Sequence, residues 1–325
     1  MLELRDLHIK FHDADHEAVR GINLTVNSGE IVGLVGESGS GKTVTAMVIS
    51  SLMPGNKAAI TGQVFLDGED LLQLDEKAMR KKQGSDISVV FQEPMTAMNP
   101  VMRIGPQVEE SLRVHTDLSR EERKARALQA LRDVDLDHVE ELYDKFPHQL
   151  SGGMLQRVMI AAAIVSSPKL LLADEPTTAL DVTIQHQIIR LLNQLKKELH
   201  MSVILVTHDL GVVRQMCDTV AVMYAGYIVE TGACSEVLDN PAHPYTTGLI
   251  RSLPKDKDTR ARLESIQGLP PDLSEEIVGC PFAPRCSRCT ELCQREMPAV
   301  HDLGGGRSVR CHHAEAVKRG DDTNV

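Results

Sequence analysis

Gly36-Glu37-Ser38-Gly39-Ser40-Gly41-Lys42-Thr43 reads G-x-x-x-x-G-K-[ST] and follows the apolar run Ile31-Val32-Gly33-Leu34-Val35. The glycines let the backbone curl so that successive N–H groups point inward at a phosphate chain. Lys42 brings an ammonium to the β- and γ-phosphates, and the Thr43 hydroxyl is placed to ligate Mg²⁺. A helix starting near Lys42 adds its N-terminal dipole to the same anion. A Gly/Ser turn can match this pattern by chance, but here a strand-like run precedes it and a helix-like stretch, Thr45 to Leu52, follows. Phosphate binding by Gly36, Ser38, Gly39, Ser40, Gly41, Lys42 and Thr43 is the first expectation.

At 325 residues and 42% hydrophobic content the chain can bury a large core, and one large domain with an appendage is expected. A net charge of −11 argues against a broad surface for tracking DNA or RNA, so nucleic acid is not expected as a partner. The start, Met1-Leu2-Glu3-Leu4-Arg5-Asp6, lacks the cationic and apolar segments of a signal peptide. No apolar run approaches the roughly 18 residues of a membrane span. Any membrane association is therefore expected to come through a partner. Of seven cysteines, five (Cys280, Cys286, Cys289, Cys293 and Cys311) crowd near the C-terminus. In a cytosolic chain such a cluster suggests metal before disulfide.

Residues 2–11 and 22–35 alternate apolar and polar side chains, broken by Gly21 and Ser28-Gly29, and read as strands leading into the glycine-rich loop. Gly62 to Leu66 and Ile87 to Phe91 also read as strands. From Pro106 to Lys145 the pattern turns helical: Ser119 and Glu122 form a capping box, and Ala127, Leu128, Leu131 and Val134 recur at helical spacing. This predicts a helical insertion, placed at about residues 93–154. Leu170 to Ala173, Val203 to Val206 and Val220 to Met223 then read as strands of a buried parallel sheet. Beyond about residue 235 prolines recur, and an irregular extension over 236–325 is expected.

The strand ending at Ala173 is followed by Asp174-Glu175, an arrangement in which the Asp holds Mg²⁺ through water and the Glu polarises an attacking water. Alone, such a pair after an apolar strand is usually a solvated loop; with a phosphate loop about 130 residues upstream it suits a nucleotide triphosphatase. Gln92, closing the strand that ends Val89-Val90-Phe91, can reach Mg²⁺ or the lytic water, although an isolated Gln there is ordinarily a surface amide. His208 follows Val203 to Thr207, where a neutral imidazole can hydrogen-bond a γ-phosphate. Leu150-Ser151-Gly152-Gly153-Met154 opens another helix, whose N–H groups with the Ser151 hydroxyl form a second anion site. An ordinary capped start would need neither the second glycine nor the following Gln156-Arg157.

Together these residues resemble the ATP-binding subunits of ABC transporters. The match runs in family order through the phosphate loop at 36–43, Gln92, the signature 150–154, Asp174-Glu175, the D-loop Pro176 to Asp181, and His208, over about residues 1–235. The resemblance implies an α/β P-loop NTPase fold: a RecA-like core with a β-rich subdomain and a helical insertion. It implies ATP and Mg²⁺ as cofactors, with Mg²⁺ held by Thr43, Gln92 and Asp174. Two such subunits sandwich two ATP molecules, the signature turn of one facing the phosphate loop of the other. Carried over, Glu175 is the general base, His208 stabilises the γ-phosphate, Lys42 neutralises developing charge, and Ser151, Gly152, Gly153 and Asp181 serve the partner's nucleotide. An early aromatic residue stacks on adenine, with Phe11 the best match and His16 the alternative.

Glu93 to Pro100, His243-Pro244-Tyr245-Thr246 and Gly279 to Cys286 further resemble the dipeptide, oligopeptide and nickel import branch. That implies a distinct paralogous ATPase as heterodimer partner, two transmembrane permease subunits, an extracytoplasmic solute-binding protein, and a peripheral place on the cytoplasmic face of the membrane. In several members C-terminal cysteines bind a [4Fe-4S] cluster, and C-x5-C-x6-C with a distant Cys maps onto Cys280, Cys286, Cys293 and Cys311, leaving Cys289 as extra. Four thiolates on Pro-rich loops suit either Fe–S or Zn²⁺. Cys217 and Cys234 are expected to be buried structural thiols. A peptide is the expected solute, with nickel or another small solute as the alternative. A soluble ABC ATPase of DNA repair or translation would carry a long coiled-coil insertion or two cassettes, which this chain lacks.

Overall fold

The computed structural model describes residues 1–54, 57–178, 180–252, 265–272 and 275–314. Its strands are β1 (Leu2–Phe11), β2 (Val19–Val26), β3 (Ile31–Val35), β4 (Ala58–Leu66), β5 (Glu69–Asp70), β6 (Ile87–Val90), β7 (Leu170–Asp174), β8 (Ser202–Thr207), β9 (Thr219–Tyr224), β10 (Tyr227–Ala233), β11 (Val300–Gly304) and β12 (Arg307–Arg310). The chain divides into two compact units: Met1–Thr25, Val32–Asp70 and Thr207–Val325 form one, and Val26–Ile31 and Leu71–Val206 the other.

In the first unit β2, β1, β4 and β5 lie side by side in that order. Along β1 the inward side chains are Leu2, Leu4, Leu7 and Ile9, all essentially buried. Strict alternation after Leu4 would turn Asp6 inward. A register shift between Arg5 and His8, with Asp6 at φ 46°, resets the pleat so that Leu7 faces the core. Strand β3, buried at every position, runs parallel to β9, with Val35 opposite Val222. A strand buried on both faces must be apolar throughout, which is how this stretch reads in the sequence. A two-residue turn, Ala225 and Gly226, both at positive φ, leads from β9 into β10, where Tyr227 pairs with Tyr224.

The extension is more regular than its prolines suggest. Strand β12 pairs antiparallel with β10 and β11 with β12, so a C-terminal hairpin prolongs the sheet. Pro244 occupies the first turn of a helix, Pro244–Arg251, where its missing N–H costs nothing. Some of the prolines thus start elements instead of forbidding them. The carboxylate of Glu230, 1% exposed, accepts from the N–H of Ala242 (2.8 Å) and of His243 (2.9 Å) and from Arg307 Nη2 (2.9 Å). A buried carboxylate satisfied this fully ties both the helix and the hairpin to β10. Cys217 and Cys234 are buried as expected, and burial pushes the Cys234 thiol up.

In the second unit β7 lies between β6 and β8 in a parallel arrangement, Leu170 facing Ile87 on one side and Ser202 on the other. Ser119 caps the helix Arg120–Asp133 with the expected capping box: its hydroxyl accepts from Glu122 N–H (3.3 Å) and Glu122 Oε2 from Ser119 N–H (2.8 Å). Ala127 and Leu131 on this helix, with Val134 just after it, are buried.

His243 is 2% exposed, and its Nδ1 accepts from Tyr245 N–H at 3.0 Å. Burial pushes its pKa down to about 3. The folded chain therefore holds it neutral while the unfolded chain takes up a proton near pH 6.5, so its contribution is complete above pH 6.5 and is lost as pH falls from there towards 3. We expect stability to drop by up to about 1.4 kcal/mol per pH unit over that window from this group. Equilibrium unfolding of the parent and of His243→Asn, which does not titrate there, should show the slope flattened in the variant. Parallel profiles would exclude the effect.

Candidate nucleotide-binding site

In the first unit the loop from Gly36 to Gly41 joins β3 to the helix Lys42–Ile49. Gly36 (φ 152°) and Gly41 (φ 103°) adopt backbone that side chains disfavour, and a Cβ on Gly36 would lie 2.2 Å from the Met223 carbonyl oxygen. On Gly41 it would lie 2.9 Å from the Ala18 carbonyl. Both glycines are thus demanded by the surrounding backbone, independently of any ligand. Lys42 is 7% exposed, and its Nζ donates to the carbonyls of Gly36 and Glu37, each at 2.8 Å, and to Ser40 Oγ at 3.3 Å. The ammonium is thus held against the loop's own oxygens. Ser38, Gly39 and Thr43 are exposed while Ser40 is buried. Phe11, at the end of β1, and His16, in the turn that follows, are both half-buried. His208, just after β8, is exposed.

Glu37, a variable position of the loop, is held on three sides. Its N–H donates to Tyr245 Oη (2.8 Å), its carbonyl accepts from Lys42, and its carboxylate accepts from Arg285 through Nη1 (2.7 Å) and Nη2 (3.0 Å). Arg285 is 5% exposed at its side chain and also donates to Tyr224 Oη at 3.2 Å. Around it Tyr224, Tyr245 and Phe282 pack with ring centres 4.5 to 5.4 Å apart.

In the second unit Gln92 and Glu175 come together: Gln92 Nε2 donates to Glu175 Oε2 at 2.9 Å. Thr178 Oγ1 donates to the same oxygen at 2.8 Å. Glu175 has φ 47°, uncommon outside glycine, and its N–H donates to Val206 O at 2.8 Å. Asp174 ends β7, opposite Val206. Ser151 caps the helix Gly152–Ile164, its hydroxyl accepting from Met154 N–H at 3.3 Å. A Cβ on Gly152 would meet nothing within 4 Å, whereas one on Gly153 would lie 3.1 Å from Ile184 Cγ2. The second glycine therefore serves packing and the first leaves the turn open. Gln156, 1% exposed, donates to Pro176 O at 2.7 Å, and Arg157 donates to Val134 O and Gln187 Oε1. Asp181 caps the helix Val182–Leu199 by accepting from Ile184 N–H. A groove of about 700 Å³ runs beside the turn, lined among others by Asp135, His138, Ser151, Gly152, Arg157 and Asp181.

Gln156, Thr178, Tyr245 and Arg285, which the sequence reading names only as parts of longer motifs and gives no site role, are contributors here. Thr178, three residues after Glu175, had a local signal in its spacing. Arg285 had none, since 248 residues separate it from Glu37.

Residues 19–178 match the ABC transporter model and residues 229–293 the oligopeptide/dipeptide transporter C-terminal region. The dipeptide transport ATP-binding protein DppD of Haemophilus influenzae is 46% identical over 96% of this chain and 95% of its own length. The oligopeptide transport ATP-binding protein OppD of Bacillus subtilis is 45% identical over 98% of this chain and 90% of its own. Among solved structures, the dimeric ATP-binding cassette MJ0796 in a post-hydrolysis state with ADP and Pi superposes with a TM-score of 0.65 at 31% identity, covering 72% of this chain and 99% of that one. The fold and these likenesses define an α/β ATPase of the P-loop class. The chain belongs to the family of ABC transporter ATP-binding proteins, with ATP and Mg²⁺ as its cofactors.

Gly36→Ala should destabilise the chain by on the order of 2–3 kcal/mol, because the added methyl meets a backbone carbonyl. Gly152→Ala, in open space, should stay within about 0.5 kcal/mol. Thermal unfolding of the two variants checks the contrast; equal midpoints would show that Met223 yields to the methyl.

Proposed function

We propose that this chain is the ATP-hydrolysing subunit that energises peptide import through a membrane transporter. What carries the reading is the likeness to dipeptide and oligopeptide transport ATP-binding proteins along nearly the whole length, the C-terminal region included. The working assembly is two ATPase subunits, this one with a distinct paralogue, two permease chains and an extracytoplasmic solute-binding protein. Among the described residues no helix is long and apolar enough to cross a membrane, so attachment is peripheral, on the cytoplasmic face, through the permeases.

Within this reading residues 1–235 form the nucleotide-binding domain, with its helical insertion at about 93–154, and 236–325 the transporter-type extension. Gly36, Ser38, Gly39, Ser40, Gly41 and Lys42 cradle the phosphates. Thr43, Gln92 and Asp174 hold Mg²⁺, which when bound neutralises phosphate charge. Glu175, steadied by Gln92 and Thr178, accepts the proton of the attacking water, and His208 bonds the γ-phosphate. Phe11 stacks on adenine, with His16 as the alternative. Ser151, Gly152, Gly153 and Asp181 face the partner's nucleotide.

Glu175→Gln should bind ATP and lose turnover, while Lys42→Ala should lose affinity for ATP; ATP hydrolysis and equilibrium binding on the purified complex distinguish them. An auxotroph lacking this chain should fail to grow on peptides that supply its missing amino acid, and the Glu175→Gln gene should not restore growth. Growth restored by that variant, or unimpaired without the chain, refutes the import role.

We also propose that Cys280, Cys286, Cys293 and Cys311 hold a [4Fe-4S] cluster that staples the extension. Burial, with the neighbouring thiols as a smaller cause, pushes Cys280 and Cys311 each up to about 11 and Cys286 up as well. Cys289 falls outside the C-x5-C-x6-C spacing and is left out of the set. Among the described residues no group of three or more His, Cys, Asp or Glu is placed to hold a metal ion, so the reading rests on the spacing of the four cysteines, with Zn²⁺ as the alternative. Anaerobically purified protein should be brown with about four irons per chain. Cys289→Ser should keep the iron and Cys286→Ser should lose it. Stoichiometric zinc, or no metal, would overturn the assignment.

A further inference from the structure

Two contacts from the C-terminal segment converge on one loop residue. Tyr245 takes the N–H of Glu37 and Arg285 grips its carboxylate with both arms of the guanidinium. The carbonyl of the same residue is one of the oxygens on which the Lys42 ammonium rests. Glu37 is therefore the joint between the segment and the lysine: the Gly36–Glu37 peptide carries both the N–H that Tyr245 accepts and the Gly36 carbonyl on which Lys42 also rests, so rotating it breaks the one bond and moves the other's oxygen. A fork-on-fork pair with a nearly buried guanidinium is directional as well as strong. Arg285 is itself fixed, with Nε donating to Gln267 O at 3.1 Å, Nη1 to Tyr224 Oη, and its backbone N–H to Phe282 O at 3.0 Å. Tyr245 is buried to 0% exposure against Tyr224 and Phe282. An ion pair on a flexible surface would carry no such geometric information; this one ends a chain of packed, singly oriented groups.

We infer that Arg285 and Tyr245 are positioning residues for the phosphate loop, which act through Glu37 to hold the loop amides and Lys42 in the arrangement that receives the nucleotide phosphates. The inference rests on the reading of Gly36–Thr43 as the phosphate site. The extension then preorganises ATP binding in addition to any role outside the ATPase. Removing either contact leaves the loop to be ordered by the nucleotide itself, so the loss falls on affinity.

The test uses the full chain, a fluorescent ATP analogue for equilibrium binding, and hydrogen exchange of the peptide covering the loop without nucleotide. Arg285→Ala and Glu37→Gln should each weaken binding about tenfold, and the double variant should be no weaker than either, since one interaction is removed in all three. Tyr245→Phe, which keeps the packing and deletes only the acceptor, should speed exchange in the loop peptide and weaken binding with the melting midpoint nearly unchanged. It also keeps the question open to measurement should Arg285→Ala fail to fold. Lys42→Ala is the reference arm. If it loses binding while the Arg285 and Tyr245 variants keep both parental affinity and parental exchange, the phosphate site stands and the positioning role is overturned. If Lys42→Ala binds like the parent, the phosphate-site reading itself fails. Additive losses in the double variant would also overturn the coupling through Glu37.

Discussion

A phosphate loop must turn its amides inward, and the backbone that does so leaves no room for side chains where it touches its surroundings. Here the contact is literal: the carbonyls of Met223 and Ala18 press on the loop where Gly36 and Gly41 lack a Cβ. Met223 belongs to β9 and Ala18 to the turn before β2, so two separate parts of the first unit are built up to the loop. The parallel pairing of β3 with β9 sets the height at which the loop leaves the sheet, and the Ala225-Gly226 turn then carries the chain from β9 into β10. Because β10 receives the C-terminal hairpin, the extension is joined to the neighbour of the strand that abuts the loop.

Much of this was legible in the residues. Strands buried on both faces appear as unbroken apolar runs, so β3, β7, β8 and β9 were readable, as was the capping box at Ser119. The residues proposed to carry chemistry stand out because each sits at a strand end or helix start, where local sequence marks the position. Strand β10 carries no such mark, because its hairpin turn has Ala225 at a position where asparagine would announce it. The extension reads as irregular because proline is ambiguous: Pro244 opens a helix by the same property that breaks one elsewhere. The Glu230 network and the grip on Glu37 join residues far apart in sequence, and no local pattern encodes them.

In the second unit the constraint is conformational. Glu175 occupies left-handed backbone, which costs an ordinary residue on the order of 1 kcal/mol or more. Its N–H is taken by Val206, and its carboxylate is met by Gln92 and Thr178, so the geometry is fixed from both ends. Pro176, the next residue, offers its carbonyl to the buried Gln156 of the helix that Ser151 caps. One buried hydrogen bond thereby joins the helix that Ser151 caps to the residue beside Glu175.

The same logic explains why an ATPase of this kind carries charged residues in its interior at all. Arg285 and Glu37 would contribute little as an exposed pair, and burying them has a desolvation cost that only a fully satisfied arrangement offsets. The guanidinium meets that condition with the carboxylate, a tyrosine hydroxyl and a main-chain carbonyl as acceptors. Apolar residues of equal volume would hold the segment as firmly without specifying the angle of the Glu37 peptide, and that angle determines where Lys42 rests. Arg285 immediately precedes Cys286, so whatever stabilises the cysteine segment also stabilises the donor that orients the loop.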